Sequence, residues 1–264
     1  MIAVVALATI DADMGGSKTD FRGNNPWPGE SVPSAMSGGL SGKGLMEERV
    51  EAYNEHGATF VDRLRTRIVF GSIRRNLPPG GNLNILDIGC GFHARYLVSL
   101  QDKLAHGTGI DFRVSEECLT NPKLSFLLMS AESALASLQD RCFDVVLFIS
   151  VLEHLWNPLE ALTHCYRVLK PGGVLLLNVP TWAAKPVLEI SAFRLGTSPA
   201  CEMDDHKMYY GKRDLWPLVI RAGFRPSLVR MKYENVGMTL FAKAQRDNVD
   251  LMQEFGSTSP APRV

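Results

Sequence analysis

The sequence has no excess of either sign of charge, because 28 Lys and Arg residues balance 28 Asp and Glu residues. No run of basic residues stands out either. The electrostatic patch that nucleic-acid binding usually requires is therefore missing. We expect no nucleic-acid partner, and a polyanionic substrate is disfavoured.

Long hydrophobic runs are also missing, since no segment reaches the 18 or so apolar residues of a transmembrane helix. The apolar stretch 1–10 lacks a basic start and a clear cleavage site, so we do not interpret it as a signal peptide. The five cysteines show no metal-ligand spacing, and several lie inside apolar runs, where a free thiol behaves as a small hydrophobic group. We expect a cytoplasmic protein with no membrane partner and no metal site.

What is present is the composition of a globular chain: 264 residues, of which 45% are hydrophobic and 21% charged. This length suits one large domain with appended segments. We predict an irregular leader at 1–44, rich in Gly, Ser, Pro and Asn, and an amphipathic helical cap at 45–80. The main domain follows at 81–245, with a substrate lid inserted at 181–210, and a frayed tail occupies 246–264.

Short apolar runs alternate with helical patterns in the main domain, which is typical of repeated βαβ units and a parallel sheet. Two further runs at 227–233 and 237–244 predict an antiparallel hairpin. The prediction is a Rossmann-like α/β three-layer sandwich whose seven-stranded, mostly parallel sheet ends in an antiparallel edge hairpin. The five other predicted strands are 84–88, 107–111, 124–129, 143–149 and 174–179.

The strongest chemical signal is a strand that runs directly into a glycine-rich turn containing Gly89 and Gly91. Glycines allow a sharp turn and a close approach of the backbone to a ligand. The next predicted strand ends at Asp111, 24 residues after Asp87, where a carboxylate can accept hydrogen bonds from both hydroxyls of a ribose. Together these features predict a nucleotide-like ligand.

Five motifs in order make the chain similar to class I S-adenosylmethionine-dependent methyltransferases. They are Leu-Asp-Ile-Gly-Cys-Gly, Gly-Ile-Asp, Cys-Phe-Asp-Val-Val, Val-Leu-Glu-His-Leu and Val-Leu-Lys-Pro-Gly-Gly, within 84–173. A weaker likeness extends over 205–210 and 222–224. The resemblance implies S-adenosylmethionine as cofactor, bound at its methionine part by Asp87, Gly89, Cys90 and Gly91 and at its ribose by Asp111 and Phe112. It also implies that Ala131 and Glu132 border the adenine and that Ser150 faces the sulphonium. The chain departs from the family pattern at His93, in place of a third glycine, and at Ser130, in place of an acid.

Two histidines are candidates for a catalytic base. His154 follows the fourth predicted strand at the edge where ligands bind in open α/β sheets, and an imidazole titrates near neutral pH. His206 is the second candidate. A structural role is an equal alternative for His154, and packing in a lid is the slightly favoured alternative for His206.

Three functions compatible with these features remain open. The first is methyl transfer to an oxygen or nitrogen nucleophile of a small molecule or saccharide, by an enzyme that could form a homodimer. The second is a nicotinamide-dependent oxidoreductase, which Ala94 disfavours because that class has a glycine there. The third is a non-catalytic binding module that keeps the fold and acts through a partner.

Overall fold

The structure is a computed structural model that describes residues 60–193 and 205–248, with side chains over 66–189 and 205–248. The predicted leader, the first part of the predicted cap and most of the predicted tail lie outside the described residues. Within them, no helix is long and apolar enough to cross a bilayer.

Strands and helices alternate along the chain, as the sequence predicts. The strands are β1 Leu83–Ile88, β2 Leu104–Asp111, β3 Leu124–Leu128, β4 Phe143–Ile149, β5 Leu169–Pro180, β6 Val229–Glu234 and β7 Thr239–Gln245. The helices are α1 Phe60–Asn76, α2 Arg95–Ser99, α3 Glu116–Leu119, α4 Ala131–Ser137, α5 Pro158–Val168, α6 Lys185–Phe193 and α7 Lys212–Arg221. A 3₁₀ turn, Leu152–His154, follows β4.

The strands form a seven-stranded sheet in the order β3-β2-β1-β4-β5-β7-β6. Strands β1 to β5 pair in parallel, whereas β7 pairs antiparallel with both β5 and β6. The predicted sheet and terminal hairpin are therefore confirmed. Strand β7, which runs against the others, lies one position inside the edge, and β6 forms the edge itself.

Two apolar cores cover the two faces of the sheet and make the three layers. Successive strand residues point to opposite faces, so Leu86 and Ile88 join one core while Ile85 joins the other. The first core packs against α4, α5 and α7, and the second against α1, α2 and α3. Within its described part, the predicted helical cap is thus a layer of the sandwich, with Val69 and Ile73 buried against the sheet.

Several local predictions differ from the structure. After the glycine turn, the apolar spacing of Tyr96, Leu97, Leu100 and Leu104 predicts one helix. The helix in the structure ends at Ser99, and Leu104 is the first residue of β2. The sequence Lys-Pro-Gly-Gly at 170–173 predicts a turn before the fifth strand. In the structure these residues lie inside β5, where the pairing with β4 is shifted and Gly172 has φ 77°. By contrast, the sequence Asn157-Pro158-Leu159-Glu160 predicts a helix start with Asn157 as its N-cap. This start of α5 is confirmed, since the Asn157 side chain accepts a hydrogen bond from the Glu160 amide.

The prediction that the chain frays after Gln245 is wrong for the next two residues. Arg246 and Asp247 are buried. The Arg246 guanidinium donates to the carbonyl oxygens of Tyr166, Arg167 and Leu169, at 3.0, 3.0 and 2.6 Å. It occupies the carbonyl end of α5, where backbone acceptors lack partners within the helix.

Candidate functional site

The candidate site lies at the carboxyl ends of β1 and β4, the neighbouring central strands. The chain leaves β1 toward β2 on one side and reaches β4 and β5 on the other, so the strand order reverses between them. Ligands of open α/β sheets bind in the crevice at such a reversal. The structure brings the cofactor residues predicted at the ends of the first four strands, or just after them, to this same edge.

The glycine turn after β1 has the close, left-handed backbone that the sequence predicts. Gly89 and Gly91 have φ values of 67° and 74°, and the Gly89 and Cys90 amides both donate to the Ile110 carbonyl. His93 stands in place of a glycine but is not among the residues with positive φ; the next left-handed residue is Ala94, at φ 41°. The exposed His93 side chain therefore leaves the shape of the turn intact.

Asp111 ends β2 directly beside this turn. Its two carboxylate oxygens accept hydrogen bonds from the Gly91 and Phe112 amides, both at 2.8 Å. Burial raises the pKa of Asp111 to about 6, and these backbone hydrogen bonds limit the rise. The carboxylate is thereby fixed at the turn.

Asp87 is the second buried acid of the site and is 1% exposed. Burial raises the pKa of Asp87 well above its usual value, and the nearby Asp111 raises it further. Its Oδ2 atom has no hydrogen-bond partner. A buried polar atom in this condition is costly unless a ligand satisfies it, and an acidic acceptor beside a glycine turn fits the cationic amino group of a bound S-adenosylmethionine.

Other predicted cofactor residues contribute through backbone or position. The Cys90 side chain is fully buried in the second core, and burial raises the pKa of its thiol, which stays protonated. Ser130 caps α4 by accepting a hydrogen bond from the Ser133 amide, at 3.2 Å, so it has a structural task where the family has an acid. Ala131 is buried and Glu132 half-buried in the first turn of that helix.

Ser150 lies just beyond β4 in a left-handed conformation, with φ 55°. Its amide donates to the carbonyl of Asn178 on β5, at 2.8 Å. The Asn178 side chain is buried, and neither its oxygen nor its nitrogen has a hydrogen-bond partner. Sequence reasoning does not single out Asn178, although an amide within a continuous apolar strand is a signal that could have done so.

His154 and His206, the two predicted bases, meet although they are 52 residues apart in sequence. Their ring centroids are 4.8 Å apart at an interplanar angle of 61°. His154 Nδ1 lies 3.1 Å from Asp205 Oδ2, and His206 Nδ1 lies 3.1 Å from the Tyr209 hydroxyl. Glu153, which the sequence analysis also overlooks, is buried beside them.

Backbone hydrogen bonds hold the segment 205–210 against the 3₁₀ turn. The Lys207 amide donates to the Glu153 carbonyl at 2.8 Å, and the Tyr210 amide donates to the Pro180 carbonyl at 3.0 Å. The Lys207 ammonium pairs with Asp205, at 2.6 Å. This part of the predicted lid is thus an ordered wall of the site, while 194–204 lie outside the described residues.

Comparison with known proteins shows what the segment around the site resembles. Residues 86–177 match the family model described as "Methyltransferase domain". The ubiquinone biosynthesis O-methyltransferase of Dechloromonas aromatica is 34% identical over 103 residues, which cover 36% of this chain and 43% of that protein. The chain spans less than half the length of the curated relatives it matches.

Solved structures share the fold. A Thermotoga maritima protein described as a SAM-dependent methyltransferase, possibly a histamine N-methyltransferase, superposes with a TM-score of 0.54 at 19% identity, over 77% of this chain and 99% of that chain. The [4+2]-cyclase SpnF superposes with a TM-score of 0.51 at 15% identity, over 68% of this chain and 80% of that chain. At these identities the likeness concerns the fold. In its matching segment, its sheet and its motifs, the chain is similar to the class I, Rossmann-like S-adenosylmethionine-dependent methyltransferases.

Proposed function

We propose that this protein transfers the methyl group of S-adenosylmethionine to an oxygen or nitrogen nucleophile of a small molecule or saccharide. One observation carries the proposal: two buried acids, Asp87 and Asp111, flank the Gly89–Gly91 turn, and one oxygen of Asp87 has no partner. The partial likeness to proteins named O-methyltransferases favours oxygen as the acceptor atom.

Each predicted cofactor residue has a task in this proposal. Asp87 and the backbone of Gly89, Cys90 and Gly91 bind the methionine part, while Asp111 and Phe112 bind the ribose. The adenine is bordered by Ala131 and Glu132, and Ser150 faces the sulphonium. The bound cofactor supplies a methyl group on an activated leaving group, so the protein must mainly align the nucleophile and exclude water.

His154 and His206 are the proposed catalytic residues on the acceptor side. The Asp205 carboxylate fixes the His154 ring through Nδ1, which leaves Nε2, a buried atom without a hydrogen-bond partner, as the nitrogen for the acceptor. An imidazole so oriented can take the proton of a hydroxyl or amine as methyl transfer proceeds. Exposed Trp156 and Trp182 are close by, since Lys207 lies over the Trp156 ring and Trp182 contacts Tyr209; they offer flat surfaces for a ring-shaped acceptor.

Calorimetric titration with S-adenosylhomocysteine tests the cofactor part of the proposal. Asp111→Ala removes the ribose acceptor. We expect the affinity of this variant for S-adenosylhomocysteine to fall roughly 10- to 100-fold, because hydrogen bonds to a charged group are lost. The matched control is Asp102→Ala, a surface carboxylate paired with Arg74, which we expect to bind like the wild type. Equal affinity in the wild type and Asp111→Ala would refute the ribose assignment.

Two alternative functions predict different results in this experiment. A non-catalytic module would bind the cofactor saturably and methylate nothing across a broad acceptor panel. A nicotinamide-dependent oxidoreductase would bind NAD or NADP and not S-adenosylhomocysteine. Cytoplasmic location and a homodimer belong to the proposal as well; fractionation and light scattering test them.

A further inference from the structure

We propose that Glu153, His154 and His206 form a binding site for one divalent transition-metal ion on the acceptor side of the crevice. The three side chains come from two separate segments, the 3₁₀ turn after β4 and the coil before α7. One ligand atom from each lies within 4.8 Å of the others. Two imidazoles and one carboxylate are a donor set used by catalytic zinc and non-haem iron sites.

The orientation of both rings supports a metal site. Histidines that bind a metal through one ring nitrogen usually donate the other N–H to a fixed acceptor. Here Nδ1 of His154 is held by Asp205 and Nδ1 of His206 by the Tyr209 hydroxyl, both at 3.1 Å. In His154, whose ring makes no further hydrogen bond, this leaves Nε2 as the ligand atom.

The Nε2 atom of His154 supports the metal site independently of the ring orientations. The side chain is 2% exposed, and this nitrogen has no hydrogen-bond partner. A buried imidazole nitrogen without a partner is costly. A metal ion bound at this nitrogen would satisfy it, and the buried Glu153 carboxylate lies close enough to serve as a second ligand.

A small contraction would complete the coordination. Ligand atoms about 2.0–2.1 Å from a tetrahedral ion lie roughly 3.3 Å apart. Atoms that lie within 4.8 Å of one another must therefore approach by at most about 1.5 Å. His206 is only half-buried and lies on coil, whereas His154 belongs to the tightly packed 3₁₀ turn. We therefore expect His206 to move toward His154 on binding.

An ion with three protein ligands keeps a position open for an oxygen of the acceptor. This consequence rests on the proposed methyl transfer. The acceptor hydroxyl would lose its proton to water more readily at the ion, its oxygen would form the bond to the methyl carbon, and sulphur would keep the electron pair of the broken C–S bond. The histidines would then act as ligands, and the ion, by lowering the pKa of the bound hydroxyl, would make a protein base unnecessary.

The test is metal stoichiometry on the full chain. Metal-free protein is titrated with Zn²⁺ in competition with a coloured chelator, for the wild type, His154→Gln, His206→Gln and Glu153→Gln. The matched control is His106→Gln on β2, an exposed histidine whose Nε2 atom is hydrogen-bonded to the Ser125 hydroxyl. We expect one tightly bound ion in the wild type and the control, and affinity at least 10-fold weaker in each of the three variants.

The proposal is overturned if the wild type binds no stoichiometric ion, or if the three variants bind it as the control does. Binding of S-adenosylhomocysteine, measured on the same samples, shows that the variants are folded and tests the cofactor site separately. If a variant loses that binding, X-ray absorption of Zn²⁺ bound to the wild type shows directly whether histidines are its ligands. Scattering from two imidazoles supports the site, and its absence rejects it.

Discussion

Asp111 shows at the scale of one residue how burial would affect the ribose binding that we propose for it. Its pKa of about 6 means that the carboxyl is half protonated in mildly acidic solution, and a protonated carboxyl is a weaker acceptor for two ribose hydroxyls. We expect the affinity for S-adenosylhomocysteine to be constant above about pH 7 and to fall below pH 6, approaching tenfold per pH unit. Calorimetry between about pH 5 and pH 8 measures this.

The affinity falls at low pH because the ligand prefers the ionised Asp111 carboxyl, and this form is lost as protons are added. Asp111→Asn cannot ionise and should give weak binding with a flatter profile. A wild-type affinity that is independent of pH down to about pH 5 would mean that Asp111 does not touch the ribose.

Gly109 is a second residue whose role is set by its surroundings, on β2 just before Asp111. A Cβ atom there would lie 2.6 Å from Phe126 Cδ1 and 2.8 Å from Cys90 Sγ. Gly109→Ala should therefore lower the free energy of unfolding by roughly 1–3 kcal/mol through overpacking. Urea denaturation measures the loss. Gly81→Ala is the control, because its nearest neighbour would be 3.8 Å away; an equal loss in both variants would contradict the packing argument.

At the scale of elements, the end of β7 holds the carbonyl end of α5. Arg246 donates to three carbonyls there and lies over the Tyr166 ring at 4.8 Å. Arg246→Met keeps much of the volume but removes the donors and the charge. We expect the free energy of unfolding to fall by roughly 2–3 kcal/mol.

Guanidinium denaturation measures this loss, and Arg230→Met is the matched control. Arg230 is exposed and bonds only to nearby carbonyls, so its replacement should change stability by less than about 0.5 kcal/mol. If Arg246→Met were equally neutral, the helix end would be satisfied by water rather than by this side chain.

The elements also show which local predictions succeed. Strand β4 has the predicted bounds, and α5 begins where Asn157, Pro158 and Glu160 indicate, because apolar runs and capping residues act locally. The helix after the glycine turn is only five residues long, although its apolar pattern continues to Leu104. There the apolar spacing cannot show where the helix ends and the strand begins. Leu100, just after the helix, and Leu104, the first residue of β2, are buried in the same core.

At the scale of the whole molecule, the cofactor should stabilise the folded state, because only folding brings the glycine turn and both acids together. A ligand at 100 times its dissociation constant adds ~2.7 kcal/mol, which for a domain of this size corresponds to a rise in Tm of roughly 5–10 °C. We expect this rise with S-adenosylmethionine and S-adenosylhomocysteine and none with NAD, measured by differential scanning fluorimetry. A rise with NAD alone would reverse the assignment of the cofactor.

The sequence by itself determined the order of strands and helices, the glycine turn and the acid at the end of β2, because these depend on residues close together along the chain. Four candidate cofactor residues could be recognised in this way: Asp87, Gly89, Gly91 and Asp111. Only the tertiary structure decided that Glu153 and His154 meet His206, or that Arg246 and Asp247 are buried rather than frayed. These contacts join segments about 50 to 80 residues apart, and they depend on how the layers pack around the sheet, which no local pattern of residues records.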